Sequence, residues 1–398
     1  MNFASILFKK GRIMLVAGII AEYNPFHNGH ALLIERARQA GATHIVAVMS
    51  GNFVQRGEPA LFHHSVRTRA ALNGGADLIL QLPVPYAVSG AQSFARAGVE
   101  ILDAFGCDWL VFGSECGDAD IICKTADAVY SDEMNPAVAE ELKKGISFAS
   151  ARENALRSIN PVFADIIKSP NNILGVEYVA AIKHINSKMK PVTFVREGAA
   201  HDSSQTESDI ASASFIRKNV LNGEDWSCFV PDKSMYDGCE KSDIRNAERA
   251  ILYKLRTADK SEFAATPDLS EGIENRILAA AEQAKSLDEL YALAKTKRYP
   301  HARIRRIIMN YFLGITAEEL AIPVPYIRVT GFNGRGAELL RTKECRLPVI
   351  TKAADIASLG ENAQRIFSVE CRAGDVYALC GDEVRNCGEE KSLRPVIL

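Results

Sequence analysis

The sequence predicts an α/β protein, in which a Rossmann-like doubly wound parallel sheet is followed by an α-rich C-terminal region. Three observations lead to this prediction. Short apolar runs recur along the first half of the chain, as the strands of a buried sheet do. Segments of helical periodicity separate these runs, and this alternation favours parallel strands joined by crossover helices. Beyond about residue 225, strand-like runs become rare and helical periodicity dominates.

The first predicted strand covers residues 14–21, an uninterrupted apolar run that is typical of buried parallel strands. The nonapeptide EYNPFHNGH follows it, and a helical pattern covers residues 31–40. The nonapeptide is therefore predicted to be a turn at the carboxyl end of a strand, where open α/β sheets bind ligands. Within the turn, Pro25 fixes the backbone and Gly29 allows a ligand to approach it closely.

Two histidines of this turn indicate an anion site. His27 and His30 lie three residues apart at the start of the helix, where free N–H groups and the helix dipole favour an anion. A metal site and two ordinary turn histidines are the alternatives. No glutamate follows in a His-Glu-x-x-His arrangement and no third ligand is obvious, so we predict a nucleotide site without protein metal ligands.

Further elements follow in the order expected of a doubly wound sheet. Loops after the strands are candidate parts of the site, because parallel strands present their carboxyl ends at one edge. One of these loops, residues 50–59, carries Arg56, and another is Gly113-Ser114-Glu115. The predicted strands are residues 44–49, 77–82, 108–112 and 191–196, and the predicted helices are residues 65–73, 89–105, 173–187 and 210–218, with further helices over 118–160. In the second half of the chain, Gly331, Gly334 and Gly336 are predicted to form a loop before a short helix.

The last of these helices contains a second candidate motif, IASASFIR at residues 210–217. Ser212 and Ser214 are plausible caps, and small hydroxyl residues at a helix start offer N–H and O–H donors to a triphosphate. Arg217, one turn later, adds a fork of guanidinium donors. Taken alone, this segment is equally well explained as a serine-capped helix with a solvated arginine.

Composition and charge limit the class of protein. A net charge of −2 gives no global attraction to nucleic acid, so any RNA site must be a local basic patch. Nine widely spaced cysteines without a Cys-x-x-Cys pair indicate reduced thiols in the cytoplasm. No apolar run approaches the roughly 20 residues of a membrane span. Residues 1–13 lack the charge order of a signal peptide and are predicted to be an extension before Met14.

Residues 295–306 carry six cations and no acidic residue, with Tyr299 and His301 between them. A charge run is usually a solvated face, but this density favours contact with an RNA backbone. Arg56 also has two interpretations, because an arginine in a loop after a strand can either contact phosphate or be solvated. The residues predicted to contact RNA are Arg56, Lys295, Lys297, Arg298, Arg303, Arg305 and Arg306.

Residues 27–30 match the His-x-Gly-His signature of the HIGH-type nucleotidyltransferase superfamily, and residues 210–217 resemble the Ile-Ser-Ser-Thr-x-x-Arg pattern of the same superfamily. Longer blocks are similar to the tRNA(Met) cytidine acetate ligase family and stand in its order. These blocks are EYNPFHNGH, MSGNFVQRGEPA, DLILQLPVPYA, FGSE, SPNNILGVEY, IASASFIRK and YIRVTGFNGRGAELL.

The resemblance implies an ATP-dependent ligase that activates acetate as acetyl-adenylate and acetylates N4 of the wobble cytidine, C34, of elongator tRNA(Met), with Mg²⁺ as cofactor. The residues implied to be catalytic are His27, His30, Ser212 and Arg217. The residues implied to bind ATP are Ile20, Ala21, Glu22, Tyr23, Asn24, Pro25, Phe26, His27, Asn28, Gly29, His30, Ala31, Leu32, Leu33, Gly113, Asn172, Arg196 and Glu197.

Two positions depart from the family pattern. His64 stands where the family usually has a lysine, so a phosphate contact there would be weaker. Ser214 replaces a threonine and keeps its hydroxyl.

The sequence is divided into an extension (1–13), a nucleotidyltransferase-like ATP-binding domain (14–225) and a mainly helical tRNA-binding domain (226–398). Two alternatives stay open: an adenylyltransferase acting on a small phosphorylated substrate, and a non-catalytic RNA-binding module. The oligomeric state and the choice between Met1 and Met14 as start are also open.

Overall fold

The computed structural model describes residues 14–196, 209–270 and 272–398. The predicted extension (1–13) and Glu197 lie outside the described residues. The strands are β1 (Val16–Ala21), β2 (His44–Ser50), β3 (Phe53–Val54), β4 (Glu58–Pro59), β5 (Leu78–Leu82), β6 (Trp109–Ser114), β7 (Lys190–Val195), β8 (Ile327–Phe332), β9 (Val349–Ile350) and β10 (Val396–Ile397).

The helices of the first half are α1 (Asn28–Gln39), α2 (His64–Asn73), α3 (Val84–Ala87), α4 (Ala91–Phe105), α5 (Ala119–Val129), α6 (Met134–Leu142), α7 (Phe148–Ile159), α8 (Pro161–Ile166), α9 (Pro170–His184) and α10 (Ala213–Asn222). Those of the second half are α11 (Glu248–Arg256), α12 (Lys260–Ala264), α13 (Ile273–Gln283), α14 (Leu287–Ala294), α15 (His301–Leu313), α16 (Ala317–Ala321), α17 (Gly334–Thr342) and α18 (Glu361–Tyr377). Short 3₁₀ helices connect several of them, including Lys233–Tyr236 and Ala353–Ser358.

Five strands form the parallel centre of the main sheet in the order β5-β2-β1-β6-β7. The chain moves outward from β1 through β2 to β5 and then returns to β6 on the other side of β1. The direction therefore changes between β1 and β6, the position where doubly wound sheets bind ligands. This arrangement confirms the fold class predicted from the sequence.

Successive residues of the central strands face opposite layers, as the twofold period of a strand requires. Ile20 and Val48 pack in the core beneath α4 and α9, whereas Ile19 and Ala47 pack with α1, α2 and α10. The contact with α4 is close, since a Cβ at Gly98 would lie 2.7 Å from Ile20 Cδ1. A further apolar core joins α11–α15 to α18.

The C-terminal region is mainly helical, but it also extends the sheet. β8 pairs antiparallel with β5, and β9 and β10 pair in parallel with β8. The sheet thus crosses the predicted boundary near residue 225, and the division into two domains stays a prediction. Among the described residues, no helix is long and apolar enough to cross a membrane.

The structure corrects two predicted loops. Residues 50–59 contain a small antiparallel hairpin, β3–β4. Gly334 and Gly336, predicted to lie in a loop, belong to α17, because Asn333 caps this helix by accepting hydrogen bonds from the N–H groups of residues 335 and 336. In both places glycine residues, which are typical of loops, lie within or beside a regular secondary-structure element.

A buried arginine of α2 joins the carboxyl ends of the central strands. Arg67 has no exposed surface, and its Nε donates to the carbonyl of Phe62 at 2.9 Å. Nη1 donates to the carbonyl of Glu22 at 2.5 Å, and Nη2 to those of Ser50, at 3.2 Å, and Gly51. Burial lowers the pKa of Arg67 to about 10, so it stays charged at neutral pH. One guanidinium therefore satisfies main-chain acceptors after both β1 and β2.

We expect Arg67→Met to lower the free energy of unfolding by about 3 kcal/mol or more, because each buried polar group left unpaired costs about 1–3 kcal/mol. Urea denaturation measures the change. Arg69→Met is the matched control on the exposed face of the same helix, with an expected change within about 0.5 kcal/mol. Equal losses in the two variants would contradict the assigned role of Arg67.

Candidate nucleotide-binding site

His27 and His30 close the start of α1 with their own side chains. His27 is the N-cap, and its Nδ1 accepts a hydrogen bond from the N–H of Gly29 at 3.1 Å. The N–H of His27 lies 3.3 Å from His30 Nδ1, and the two rings stack with their centroids 3.7 Å apart. Because both Nδ1 atoms accept from the main chain, the proton of each neutral imidazole resides on Nε2. Each ring can therefore present an Nε2–H donor.

The histidines are neutral at physiological pH. Burial lowers the pKa of His27 to about 3, with smaller contributions from Arg196 and Arg217. Burial, followed by His27 and Arg196, also holds the pKa of His30 well below its usual range. The pair can therefore offer neutral N–H donors, and the positive charge beside it comes from Arg196 and Arg217.

The second motif lies against the first, although the residues in contact are 193 positions apart in the sequence. Ser212 caps α10, accepting the N–H of Phe215 at 3.2 Å, and its Oγ lies 3.0 Å from Ser214 Oγ. Arg217 Nη1 donates to the carbonyl of Asn24 at 2.9 Å, and Nη2 lies 3.5 Å from Glu58 Oε1. The predicted cap is confirmed, and the start of a second helix joins that of α1 at the site.

A pocket opens between the start of α1 and the ends of β6 and β7. Two glycines shape it: a Cβ at Gly29 would lie 3.5 Å from Ile210 Cγ2, and one at Gly113 would lie 3.0 Å from Arg196 Cγ. The lining combines apolar surface, which suits a nucleoside, with imidazole and guanidinium donors, which suit phosphate. It consists of His27, Gly29, His30, Leu32, Leu33, Arg36, Gly113, Phe194, Val195, Arg196 and Ile210.

Seven lining residues were predicted as ATP contacts from the sequence. Arg36, Phe194, Val195 and Ile210 were not. Phe194 and Val195 could have been found from the pairing of β7 with β6, because neighbouring parallel strands end at the same edge. Arg36 also closes this edge by donating from Nη1 to the carbonyl of Val195 at 2.8 Å.

Other residues predicted to contact ATP do not line the pocket and instead contact the protein around it. Tyr23 and Phe26 are buried with their ring centroids 4.8 and 5.6 Å from that of His30. Asn28 Nδ2 donates to the carbonyls of Asp209 and Cys228, both at 2.8 Å, and so ties α1 to the segments flanking α10. Ile20 does not line the pocket, since its side chain packs against α4.

Asn172 organises the turn that follows β6. Its Oδ1 accepts the N–H groups of Glu115, at 2.9 Å, and Cys116, at 3.2 Å. The carboxylate of Glu115 in turn accepts the N–H of Asn172 at 2.9 Å and Nδ2 of Asn171 at 2.7 Å, and Arg196 Nη1 donates to Asn171 Oδ1 at 2.7 Å. Asn172 thus holds the turn beside Gly113, and its contact with a nucleotide stays a prediction. Glu115 belongs to a loop predicted as a candidate part of the site, and its hydrogen bonds to Asn171 and Asn172 were not predictable from the sequence.

His64 lies outside the pocket lining, contrary to the phosphate contact considered for this position. Its side chain is buried, with Nε2 3.9 Å from Glu390 Oε2 and its ring 4.4 Å from that of His63. Burial, with Arg328 and Arg67 nearby, holds its pKa well below the usual range. His64 therefore belongs to a buried polar cluster between α2 and the C-terminal region.

The basic residues of the segment 295–306 differ in their surroundings, since some bind acceptors within the protein and others are exposed. Arg303 donates to the carbonyl of Asp268 at 2.8 Å and to Ser270 Oγ at 2.6 Å, and Arg306 Nε lies 3.7 Å from the carboxylate of Asp268. These arginines stabilise α15 within the protein. Lys295 and Lys297, in contrast, are exposed.

Glu58 connects the basic run to the second motif. Its Oε1 lies 3.5 Å from Arg217 Nη2, and its Oε2 lies 3.9 Å from Arg305 Nη1. The β3–β4 hairpin that carries Glu58 and Arg56 packs directly on α15, because a Cβ at Gly57 would lie 2.7 Å from the carbonyl carbon of Arg305. The hairpin therefore lies between the site and the predicted RNA-binding surface.

Within the described parts of the chain, no cluster of three or more His, Cys, Asp or Glu side chains is arranged to hold a metal ion.

Comparison with known proteins places these features in a family. The model of the HIGH Nucleotidyl Transferase family matches residues 14–391. A curated tRNA(Met) cytidine acetate ligase of a Thermoanaerobacter species is 38% identical over 386 residues, covering 92% of this chain and 95% of that protein. One from Acetivibrio thermocellus is 35% identical, covering 97% of this chain and all of that protein.

Solved structures extend the likeness to three dimensions. Apo TmcAL of Thermotoga maritima superposes with a TM-score of 0.90 at 30% identity, covering 97% of this chain and all of that chain. The same protein bound with alpha-thio ATP gives a TM-score of 0.88 at the same identity and coverage.

Proposed function

We infer the function from one premise: the chain belongs to the HIGH nucleotidyltransferase family and, within it, to the tRNA(Met) cytidine acetate ligases. We propose that it uses ATP to activate acetate as acetyl-adenylate and then acetylates N4 of the wobble cytidine, C34, of elongator tRNA(Met). The observation that carries this proposal is the meeting of the two nucleotide motifs. The paired Nε2–H donors of His27 and His30 share one edge of the sheet with the capped start of α10 and Arg217.

In the first step a carboxylate oxygen of acetate attacks the α-phosphorus of ATP, and the bond from that phosphorus to the pyrophosphate oxygen breaks. No protein nucleophile is required. The site would contribute position and electrostatic stabilisation, because fixed donors favour the negative charge that develops on the phosphoryl oxygens. His27 and His30 donate from Nε2, and Ser212 and Arg217 present the start of α10 to the phosphates.

We place the adenosine of ATP against the apolar lining residues Leu32, Leu33 and Phe194. The triphosphate then extends towards the histidines and α10. Mg²⁺, bound through phosphate oxygens, would supply additional charge neutralisation.

In the second step the exocyclic amine of the cytidine attacks the activated acyl carbon and AMP leaves. The base must leave its stack to reach the site, which suits the single-stranded anticodon loop. Exposed lysines before α15 and the adjoining hairpin support contact with tRNA on this side. Nine unpaired cysteines support a cytoplasmic location, where thiols remain reduced.

A plain adenylyltransferase and a non-catalytic RNA-binding module are not retained. The family match extends through the C-terminal region to residue 391, and His27, His30 and Arg217 meet in one site. Neither alternative explains both observations.

The experiment that tests the function is exchange of labelled pyrophosphate into ATP, with and without acetate and tRNA. Acetate-dependent exchange, followed by N4-acetylcytidine at the wobble position of elongator tRNA(Met), is the expected result. Exchange that requires a nucleotide substrate instead of acetate, or no exchange under any of these conditions, would refute the proposal.

The tRNA surface gives a separate prediction. We expect the double variant Lys295→Ala/Lys297→Ala to weaken tRNA binding about tenfold and to lower the slope of log Kd against log salt by about 1 for each phosphate that no longer has a lysine partner. Filter binding between 50 and 200 mM salt, roughly the range in which such ion pairs dominate, measures both. Lys143→Ala/Lys144→Ala removes two exposed lysines after α6 and should change neither quantity. An unchanged salt slope in the first variant would place the tRNA elsewhere.

A further inference from the structure

Glu22 lies at the carboxyl end of β1, at the centre of the sheet and of the site. Its Oε1 accepts a hydrogen bond from the N–H of Gln55 at 2.9 Å, so the carboxylate faces the hairpin that follows β2. Its own carbonyl is held by Arg67. One hydrogen bond therefore orients the carboxylate of Glu22 and another holds its main chain, which favours a single geometry towards a substrate.

The sheet order separates the two substrates of the transfer step. The nucleoside pocket is formed at the ends of β6 and β7, on one side of β1. Glu22 and the hairpin lie towards β2, on the other side. With adenosine placed on the first side, as proposed above, the side of the hairpin is left for the tRNA base. This is also the side on which the hairpin packs against α15.

Acetyl transfer requires a base at that position. As the N4 nitrogen bonds to the acyl carbon it becomes acidic and must lose a proton. His27 and His30 are poorly suited, since burial lowers the pKa of both imidazoles and their Nδ1 atoms accept from the main chain. The oxygens of Glu58 face the guanidinium groups of Arg217 and Arg305.

We propose that Glu22 is the general base of acetyl transfer, a role that rests on the proposed function. The N4 lone pair forms a bond to the carbonyl carbon of acetyl-adenylate, and the bond from that carbon to the phosphate oxygen breaks. The N4 proton passes to the carboxylate of Glu22, and AMP departs with the electron pair of the broken bond. Glu22 then returns the proton to solvent.

The surroundings of Glu22 suit a base of this kind. Burial is the largest influence and raises its pKa above the ordinary value for glutamate, which strengthens it as a proton acceptor. Arg217, the N–H of Gln55 and Arg56 act in the opposite direction on this pKa, and Glu58 adds to the increase. The charged and titratable groups around it are Arg217 on α10, Arg56 and Glu58 on the hairpin, Arg67 on α2 and Tyr178 on α9.

The test is Glu22→Gln, assayed separately in the two half-reactions. Glutamine keeps the acceptor for Gln55 N–H but cannot take a proton. We expect single-turnover transfer from preformed acetyl-adenylate to tRNA to fall at least about 100-fold further than acetate-dependent exchange does, since about 100-fold is the lower end of general-base contributions. Glu35→Gln, on the exposed face of α1, is the matched control and should change neither rate. Equal losses in both half-reactions, or transfer at the wild-type rate, would overturn the assignment.

The pH profile keeps the inference testable if the glutamine variant folds poorly. In the wild type, the transfer rate should rise with pH through an ionisation above the usual range of glutamate, because only the carboxylate accepts the proton. Glu22→Asp should keep this rise of the transfer rate with pH, although at a lower rate, and Glu22→Gln should lose it. A wild-type transfer rate that does not rise with pH in this way contradicts the role of Glu22. A wild-type protein that makes no N4-acetylcytidine contradicts the proposed function instead.

Discussion

Arg217→Ala should lower acetate-dependent exchange of pyrophosphate into ATP by about 10³-fold, since removal of one donor to a developing oxyanion costs about 10²–10³ and Arg217 carries several donors. The structure gives a second reason. Arg217 joins α10 to the turn after β1 through the carbonyl of Asn24, and to the β3–β4 hairpin through the carboxylate of Glu58. Its loss therefore removes charge and also the hydrogen bond that brings the two motifs together.

Arg217→Lys separates these contributions. A lysine keeps the charge but cannot occupy the positions of both Nη1 and Nη2, so we expect it to recover only part of the activity. Lys218→Ala, at the next and exposed position of the same helix, is the control and should exchange at the wild-type rate. Full activity in Arg217→Lys would show that charge alone matters at this position.

His30→Ala should lower the same exchange rate by about 10²–10³-fold, the cost typical of losing one fixed donor to the transition state. It removes an Nε2–H donor and also one half of the capping box at the start of α1. His184→Ala, at the exposed end of α9, is the matched control. An exchange rate in His30→Ala equal to that of this control would exclude the ring from the phosphate site.

The protonation state of the pair is open to direct measurement. Burial lowers the pKa of both histidines, so the folded protein keeps them neutral while the unfolded chain takes up protons below a pH of about 6.5. In an NMR titration from about pH 8 to 5.5, the signals of His27 and His30 should not move with the ordinary histidine profile, whereas all histidines of the urea-unfolded chain should. By linkage, this difference lowers the stability of the folded state as the pH falls below 6.5, roughly the unfolded value. Titration of His27 near that value in the folded protein would contradict the donor role.

The local sequence pattern was sufficient to predict much of the fold. The strands β1, β2, β5, β6 and β7 begin and end close to their predicted bounds, because each is a short apolar run closed by polar or glycine-rich residues. The cap at Ser212 and the turn before α1 were predictable for the same reason, since capping depends on residues adjacent in sequence. The likeness of these blocks to a ligase family then indicated the chemistry.

Long-range contacts were not predictable in this way. Nothing near residue 327 indicates that β8 pairs antiparallel with β5, and nothing near Arg67 indicates that its guanidinium binds carbonyls from three different segments. The basic run likewise gave no sign that Arg303 and Arg306 bind residues near Asp268, while Lys295 and Lys297 stay exposed. The charge pattern of a sequence shows which residues are cationic, but it does not show which hydrogen-bond and ion-pair partners they have in the folded protein.

The order of strands and helices, the two nucleotide motifs and the family could all be read from the chain alone, because they depend on periodicity and on residues close together in sequence. Three features required the folded structure. Arg217 of the second motif binds the carbonyl of Asn24 in the first, burial lowers the pKa of both histidines, and the carboxylate of Glu22 contacts the hairpin that follows β2. These features depend on burial, proton position and electrostatic environment, which arise only when segments far apart in sequence pack against one another.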